Sequence, residues 1–264
     1  MPSAAASVRL GLLTMAVAAA VSCATKMPPR PAGSATPSPD AVATFDQATA
    51  HCAGLRTLTM ELGLSGKAGD ESLRGKVITG LQRGGAARLE GVAPFGAPVF
   101  ILAARNEQAT LLLPREHRVL TSNSVSAVIE HLTGLPLSAD DLLLSLSACV
   151  GAGEASDGRQ WSGEWRAVSA PGGRTVFLRQ VSGAWTVAGV DGGGWRADYS
   201  QVLNGFPRQV RLRSADGTVD LIASVQQLEV NTSIEAAAFD VAIPAGTAPM
   251  TLDELRSVAP LRTP

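Results

Sequence analysis

The chain has 264 residues, a formal charge of −1, and 17 % charged and 4 % aromatic residues. With no basic excess or patch there is no electrostatic footprint for nucleic acid, and that partner class is excluded. Beyond an apolar N-terminal segment the length suffices for one sizeable domain, and 27 glycines suit a twisted, bulged, turn-rich sheet.

Residues 1–22 predict an export signal. Arg9 is the lone charge, and from Leu10 to Val21 every residue is apolar or small except Thr14. The run is too short to span a membrane as a helix, which takes roughly 20 apolar residues. Because it ends Ala20-Val21-Ser22-Cys23, it resembles a bacterial lipobox, with Ala20 where Leu is usual. That resemblance implies cleavage before Cys23 and acylation of Cys23, palmitate included; the alternative is an ordinary signal with an incidental Cys. Ala24 in place of Asp implies the outer membrane of a Gram-negative-type bacterium, lipid-anchored and facing the periplasm. Residues 24–39 are rich in Pro, Ser and Ala, a composition that reads as a semi-extended tether behind the anchor.

A helix is expected from Asp40 to about Ala53, with Ser38 as cap, Pro39 at its start and Gly54 as its stop. A meander of strands follows. Leu58, Met60, Leu62 and Leu64 alternate with Thr57, Thr59, Glu61 and Gly63, residues 73–82 alternate again, 87–91 form a third strand, 99–103 and 110–113 are apolar runs, and 119–121 are a short partner. Antiparallel pairing follows from the short connections. Two helices fill the middle. Val125, Val128, Ile129 and Leu132 share one face between a Ser124 cap and a Gly134 stop; Ser138 and Asp141 resemble a capping box ahead of Leu142, Leu143, Leu144 and Leu146. A helix this apolar is buried or covers something apolar.

The last third returns to strands, with Trp161, Trp165, Trp185 and Trp195 at alternating positions and Asn204-Gly205 as a hairpin turn. The tryptophans either wall part of the interior or simply fill core. In all, about eleven short antiparallel strands are expected, and residues 242–264 form a Pro-punctuated tail with a helical turn at 252–258. Once Cys23 is set aside, Cys52 and Cys149 remain, either as a disulfide or as two buried thiols. A disulfide closing so long a loop is worth on the order of 4 kcal/mol.

Enzyme signatures are absent. There is no Gly-x-Ser-x-Gly elbow, no His-Glu-x-x-His, no phosphate loop and no dinucleotide fingerprint. His51 adjoins Cys52, but His117 and His131 show no ligand spacing with either, so neither a metal nor a cofactor is expected.

Three segments carry a resemblance to the LolA/LolB-like superfamily, and to its LolB-like outer-membrane lipoproteins in particular. Ala93-Pro94-Phe95-Gly96 is similar to the family's Pro-Leu-Gly loop. Val128 to Leu137 resembles its helix ending in Leu-Thr-Gly-apolar-Pro-apolar, and Gly194 to Tyr199 with Gly205 to Leu212 resembles its later strands. The resemblance implies an α+β, mainly β fold over residues 40–241: an incomplete, strongly curved antiparallel β-barrel with covering α-helices. It also implies a cavity for the acyl chains of lipoproteins or lipids, a periplasmic carrier protein as partner, and a membrane-contact role for Phe95, which would otherwise be a core Phe at a turn. Such a cavity must be dry and aliphatic, because an unpaired buried polar group costs about 1–3 kcal/mol while each buried CH₂ contributes about 0.8 kcal/mol. Candidate lining residues are Leu62, Leu89, Ile101, Leu112, Ile129, Leu132, Leu142, Leu146, Trp165, Trp185 and Trp195. Leu146 lies near the position of a family Trp that is absent here. The competing reading is a structural or assembly lipoprotein that binds an envelope partner through its surface.

Overall fold

The computed structural model describes residues 27, 29–92, 95, 98–161 and 163–258. Cys23, the export signal and the last six residues lie outside them. Among the described residues, fifteen strands form one open, curved sheet in the order β1-β8-β9-β10-β11-β12-β13-β14-β2-β3-β4-β5-β6-β7-β15. The strands are β1 (Thr36–Pro37), β2 (Thr57–Ala68), β3 (Glu71–Gln82), β4 (Ala86–Val92), β5 (Phe100–Arg105), β6 (Gln108–Leu113), β7 (Arg118–Ser122) and β8 (Ser156–Gln160). Then come β9 (Trp165–Ala170), β10 (Arg174–Val181), β11 (Ala184–Gly192), β12 (Trp195–Leu203), β13 (Phe206–Ser214), β14 (Val219–Val230) and β15 (Ala248–Pro249). All pairs are antiparallel except β15 with β7. The two ends of this order do not meet, so the sheet is not a closed barrel.

Alternation makes the sheet two-faced. In β2, Leu58, Met60 and Leu62 are buried on the inner face while Thr57, Thr59 and Glu61 look outward. The longest strands, β2, β3 and β14, form the middle of the curve. There Gly66 sits at φ +145°, and a Cβ would run into the Asp220 carbonyl, so β2 bends against β14 where no other residue fits.

The inner face is covered by helices. α1 (Asp40–Ala48) lies on β8, β9 and β11 and buries Ala41 and Phe45. α2 (Val125–Thr133) and α3 (Ala139–Ser147) cover the β2–β5 side, and α4 (Leu252–Val258) packs on α2. A 3₁₀ turn, Ala236–Phe239, crosses the outer face of β4 and β5, where Arg88 donates to the carbonyls of Ala238 and Asp240.

Several expectations change. Fifteen strands replace about eleven; β1, β8 and β15 were not among those expected, and two of them are only two residues long. The first α-helix stops at Ala48 and continues as a 3₁₀ turn, Ala50–Gly54, and at its start the Ser38 carbonyl, not its hydroxyl, accepts the Ala41 N–H. Thr49 spends its hydroxyl on the Phe45 carbonyl, 2.8 Å away, which closes the α-helix early.

The tether is also shorter than its composition suggests. Thr36–Pro37 pairs with β8, and Trp161 donates its indole N–H to the Gly33 carbonyl. Arg30 lies across the outer face between β10 and β12. It bonds Asp198 at 2.9 Å and the Ala197 carbonyl at 2.8 Å, and its guanidinium stands 4.3 Å from the Phe177 ring centre. Burial pushes its pKa down from the usual value while Asp198 and Asp191 pull it back up. The seat exists because β11 has Gly189 there; a Cβ would strike Arg30 itself. From Arg30 the chain rounds the β8 edge and enters α1 on the inner face.

Candidate functional site

The inner face of β2–β5, β13 and β14 meets α2 and α3 around a cavity of about 70 Å³. The sheet contributes Leu62, Leu64, Val77, Thr79, Leu81, Leu89, Phe100, Leu102, Leu212, Leu221 and Ala223. The helices and the loop between them contribute Ile129, Leu132, Thr133, Leu135, Leu137, Leu142 and Leu146. The surface its walls expose is carbon, the hydroxyls of Thr79 and Thr133 being turned away from it. It is smaller than the ~150 Å³ apolar cavity that admits benzene in an engineered protein. Anything the size of an acyl chain therefore enters only if part of the cover moves.

The two cover helices are built alike and held differently. Ser124 caps α2 by accepting from the Ala127 N–H, and Gly134, at φ +77°, ends it. α3 starts with a full capping box between Ser138 and Asp141. α3 is then fixed at both ends. At its start, Asp140 accepts the N–H groups of Gly84 (3.1 Å) and Gly85 (3.2 Å), and Asp141 pairs with Arg174 of β10. Just past its end, Cys149 is joined to Cys52 by a disulfide with Cα atoms 5.6 Å apart. Among the described residues, the side-chain hydrogen bonds of α2 and its cap are local: Ser124 to Ala127 and Ser126, His131 to Ala127, Thr133 to Ile129 and to Leu135, and Ser124 to Ser122 at the end of β7. Beyond that cap its hold on the rest of the protein is apolar contact.

Of the residues singled out from the sequence, Leu62, Leu89, Ile129, Leu132, Leu142 and Leu146 come together on this cavity. Ile101 and Leu112 pair with each other on the opposite face, Ile101 also opposite Glu90. Trp165 also faces outward, under the Arg179 guanidinium. Trp185 is on the inner side but beside α1, with Arg166 4.7 Å from its ring. Trp195 is buried next to Arg174. Phe95 is 90 % exposed, and its carbonyl accepts from Arg115 at 3.2 Å.

Leu64, Val77 and Leu81 had the same period-two signal as Leu62 and belong with it, as do Phe100 and Leu102 from an apolar run without alternation. Thr79 breaks that apolar pattern. Its hydroxyl is buried without a hydrogen-bond partner.

His51, Cys52 and Cys149 place potential ligand atoms within 4.8 Å of one another. Both sulfurs are spent on the disulfide, so the group has no thiolate to offer a metal. His51 stands edge-on to Phe206 at 4.9 Å, and burial pushes its pKa below the usual histidine value.

No family model matches the chain, and no curated protein matches it in sequence. Among solved structures, it is similar to a domain from Vibrio parahaemolyticus named for outer membrane lipoprotein sorting, with 11 % identity and TM-score 0.48 over 76 % of this chain and 96 % of that one. A DUF1329 family protein from Desulfovibrio piger gives 14 % identity and TM-score 0.48 over 77 % and 98 %. A LolA superfamily protein from Nitrosomonas europaea gives 7 % identity and TM-score 0.48 over 78 % and 98 %.

Proposed function

We propose that this protein is an acyl-chain binder of the bacterial cell envelope and not an enzyme. It takes chains of lipoproteins or lipids between the sheet and α2, and receives or inserts them at the outer membrane. The observation that carries this reading is the cavity, whose exposed surface is carbon and whose roof, α2, makes among the described residues only local side-chain hydrogen bonds, within itself, to its flanking turns and back to Ser122 at the end of β7. Each CH₂ drawn out of water into such a site contributes about 0.8 kcal/mol, so partial insertion of a long chain suffices for binding.

Cys23 is the anchor in this proposal. Among the described residues no helix is long and apolar enough to cross a membrane. With Arg30 docked, six residues lie between it and Cys23, a maximum span of about 25 Å, so the domain would sit close above the lipid surface. Phe95, which projects into water, would be the group that dips into the bilayer during transfer, and a periplasmic carrier protein would deliver the cargo.

A form lacking residues 1–23 tests the reading. Titrated with a diacylated lipopeptide and with its unacylated twin, it should bind the acylated peptide alone, saturably. Substituting Phe95→Glu should leave that binding intact and slow transfer of the peptide to vesicles at least tenfold. A folded protein that binds neither peptide would overturn the proposal in favour of recognition of a protein partner at the surface.

A further inference from the structure

We infer that Thr79 is a specificity residue of this cavity. Its hydroxyl donates to the carbonyl oxygen of an acyl ester, selecting ester-linked chains over ether-linked chains of equal length. The inference rests on the acyl-chain reading above and deepens it.

Thr79 stands in the middle of β3, 1 % exposed, between Met60 of β2 and Leu89 of β4 on the same inner face. It is part of the cavity wall. Its Oγ1 is buried and has no hydrogen-bond partner. The other hydroxyl on the wall, Thr133, donates to the Ile129 carbonyl at 2.8 Å and accepts from the Leu135 N–H at 3.2 Å, so it is satisfied.

A buried hydroxyl left unpaired is unfavourable, and valine has the same shape without that penalty. Among the described residues nothing uses this oxygen. The acceptor that would satisfy it has to arrive with whatever fills the cavity. Rotation about χ1 exchanges the methyl and hydroxyl of threonine between staggered positions, so the oxygen can turn toward an incoming acceptor.

Position narrows the acceptor. Leu89, directly across from Thr79, is half-buried and keeps contact with solvent. Thr79 therefore neighbours a wall residue that reaches solvent. An inserted chain leaves its ester head there, while its methyl end goes deeper among the leucines. An ester carbonyl accepts a hydrogen bond well; an ether-linked chain has no carbonyl to offer.

The test uses two lipopeptides with equal hexadecyl-length chains, one diester and one diether, titrated against the wild-type protein, Thr79→Val and Thr79→Ser. The wild type should prefer the diester about fivefold, the worth of one ordinary hydrogen bond. Thr79→Val should lose that preference while binding the diether at least as well and melting no lower, and Thr79→Ser should keep it. An ester-to-ether ratio unchanged in Thr79→Val would overturn the role of Thr79 and leave the cavity reading standing. Failure of the wild type to bind either lipid would overturn both.

Discussion

Replacing Cys52 and Cys149 together by alanine should lower the melting temperature by roughly 10–15 °C, the largest effect on stability expected from any pair of substitutions here. The two residues are 97 apart, and closing a loop of that length in the unfolded chain is worth about 4–5 kcal/mol. For a domain of this size each kcal/mol moves the midpoint by about 2–4 °C. Both half-cystines are 1 % exposed, so the truncations add small cavities to the entropic loss. Calorimetry of the wild type with and without reductant separates the two contributions, since reduction opens the loop without changing a side chain. A shift below 3 °C on reduction would mean that the unfolded chain is already restrained, or that the disulfide matters for holding α3 and not for global stability.

How far the sequence discloses this structure depends on the reach of each signal. Helices α2 and α3 were legible because their caps are local: Ser124 with Gly134, and Ser138 with Asp141, each speak to residues within one or two turns. β2 was legible because one of its faces is apolar and the other polar. β5 was not, because residues 100–104 are apolar on both faces; the 3₁₀ turn Ala236–Phe239 covers the outer one. With no alternation left, the choice of Ile101 and Leu112 fell one residue out of register, and in a strand that moves a side chain to the other face. Trp165 failed similarly: an aromatic in a strand reads as interior, yet a guanidinium covers it from outside. Arg30 had no local signal at all. Its partner Asp198 is 168 residues away, and the vacancy that admits it is an absent side chain at Gly189. β1 and β15 were equally silent, since they cover the sheet's two edges through pairing and not through their own propensity.

Opening of the cavity should be a motion of α2, and Leu132→Glu should abolish its use. α3 is fastened by Asp140, by Asp141 and by the disulfide just beyond its last turn, so displacing it breaks several directional bonds at once. α2, with α4 on its back, is tied by hydrogen bonds only at its cap, to Ser122, so a motion pivoting there gives up mainly apolar contacts, and an incoming acyl chain replaces them. In hydrogen exchange the amides of residues 129–133 should therefore open at least tenfold more often than those of residues 143–147, and bound diacyl lipopeptide should slow the former far more than the latter. Equal exchange in both helices would show that the cover moves as one piece. Leu132 is half-buried at the edge of the cavity, so a glutamate there stays hydrated in the closed protein and should cost no more than about 1 kcal/mol of stability. With a chain inserted, the same carboxylate would have to give up water against hydrocarbon, a penalty of a few kcal/mol that weakens binding about a hundredfold. Retained affinity in a folded Leu132→Glu protein would mean that chains enter by another route than the edge under α2.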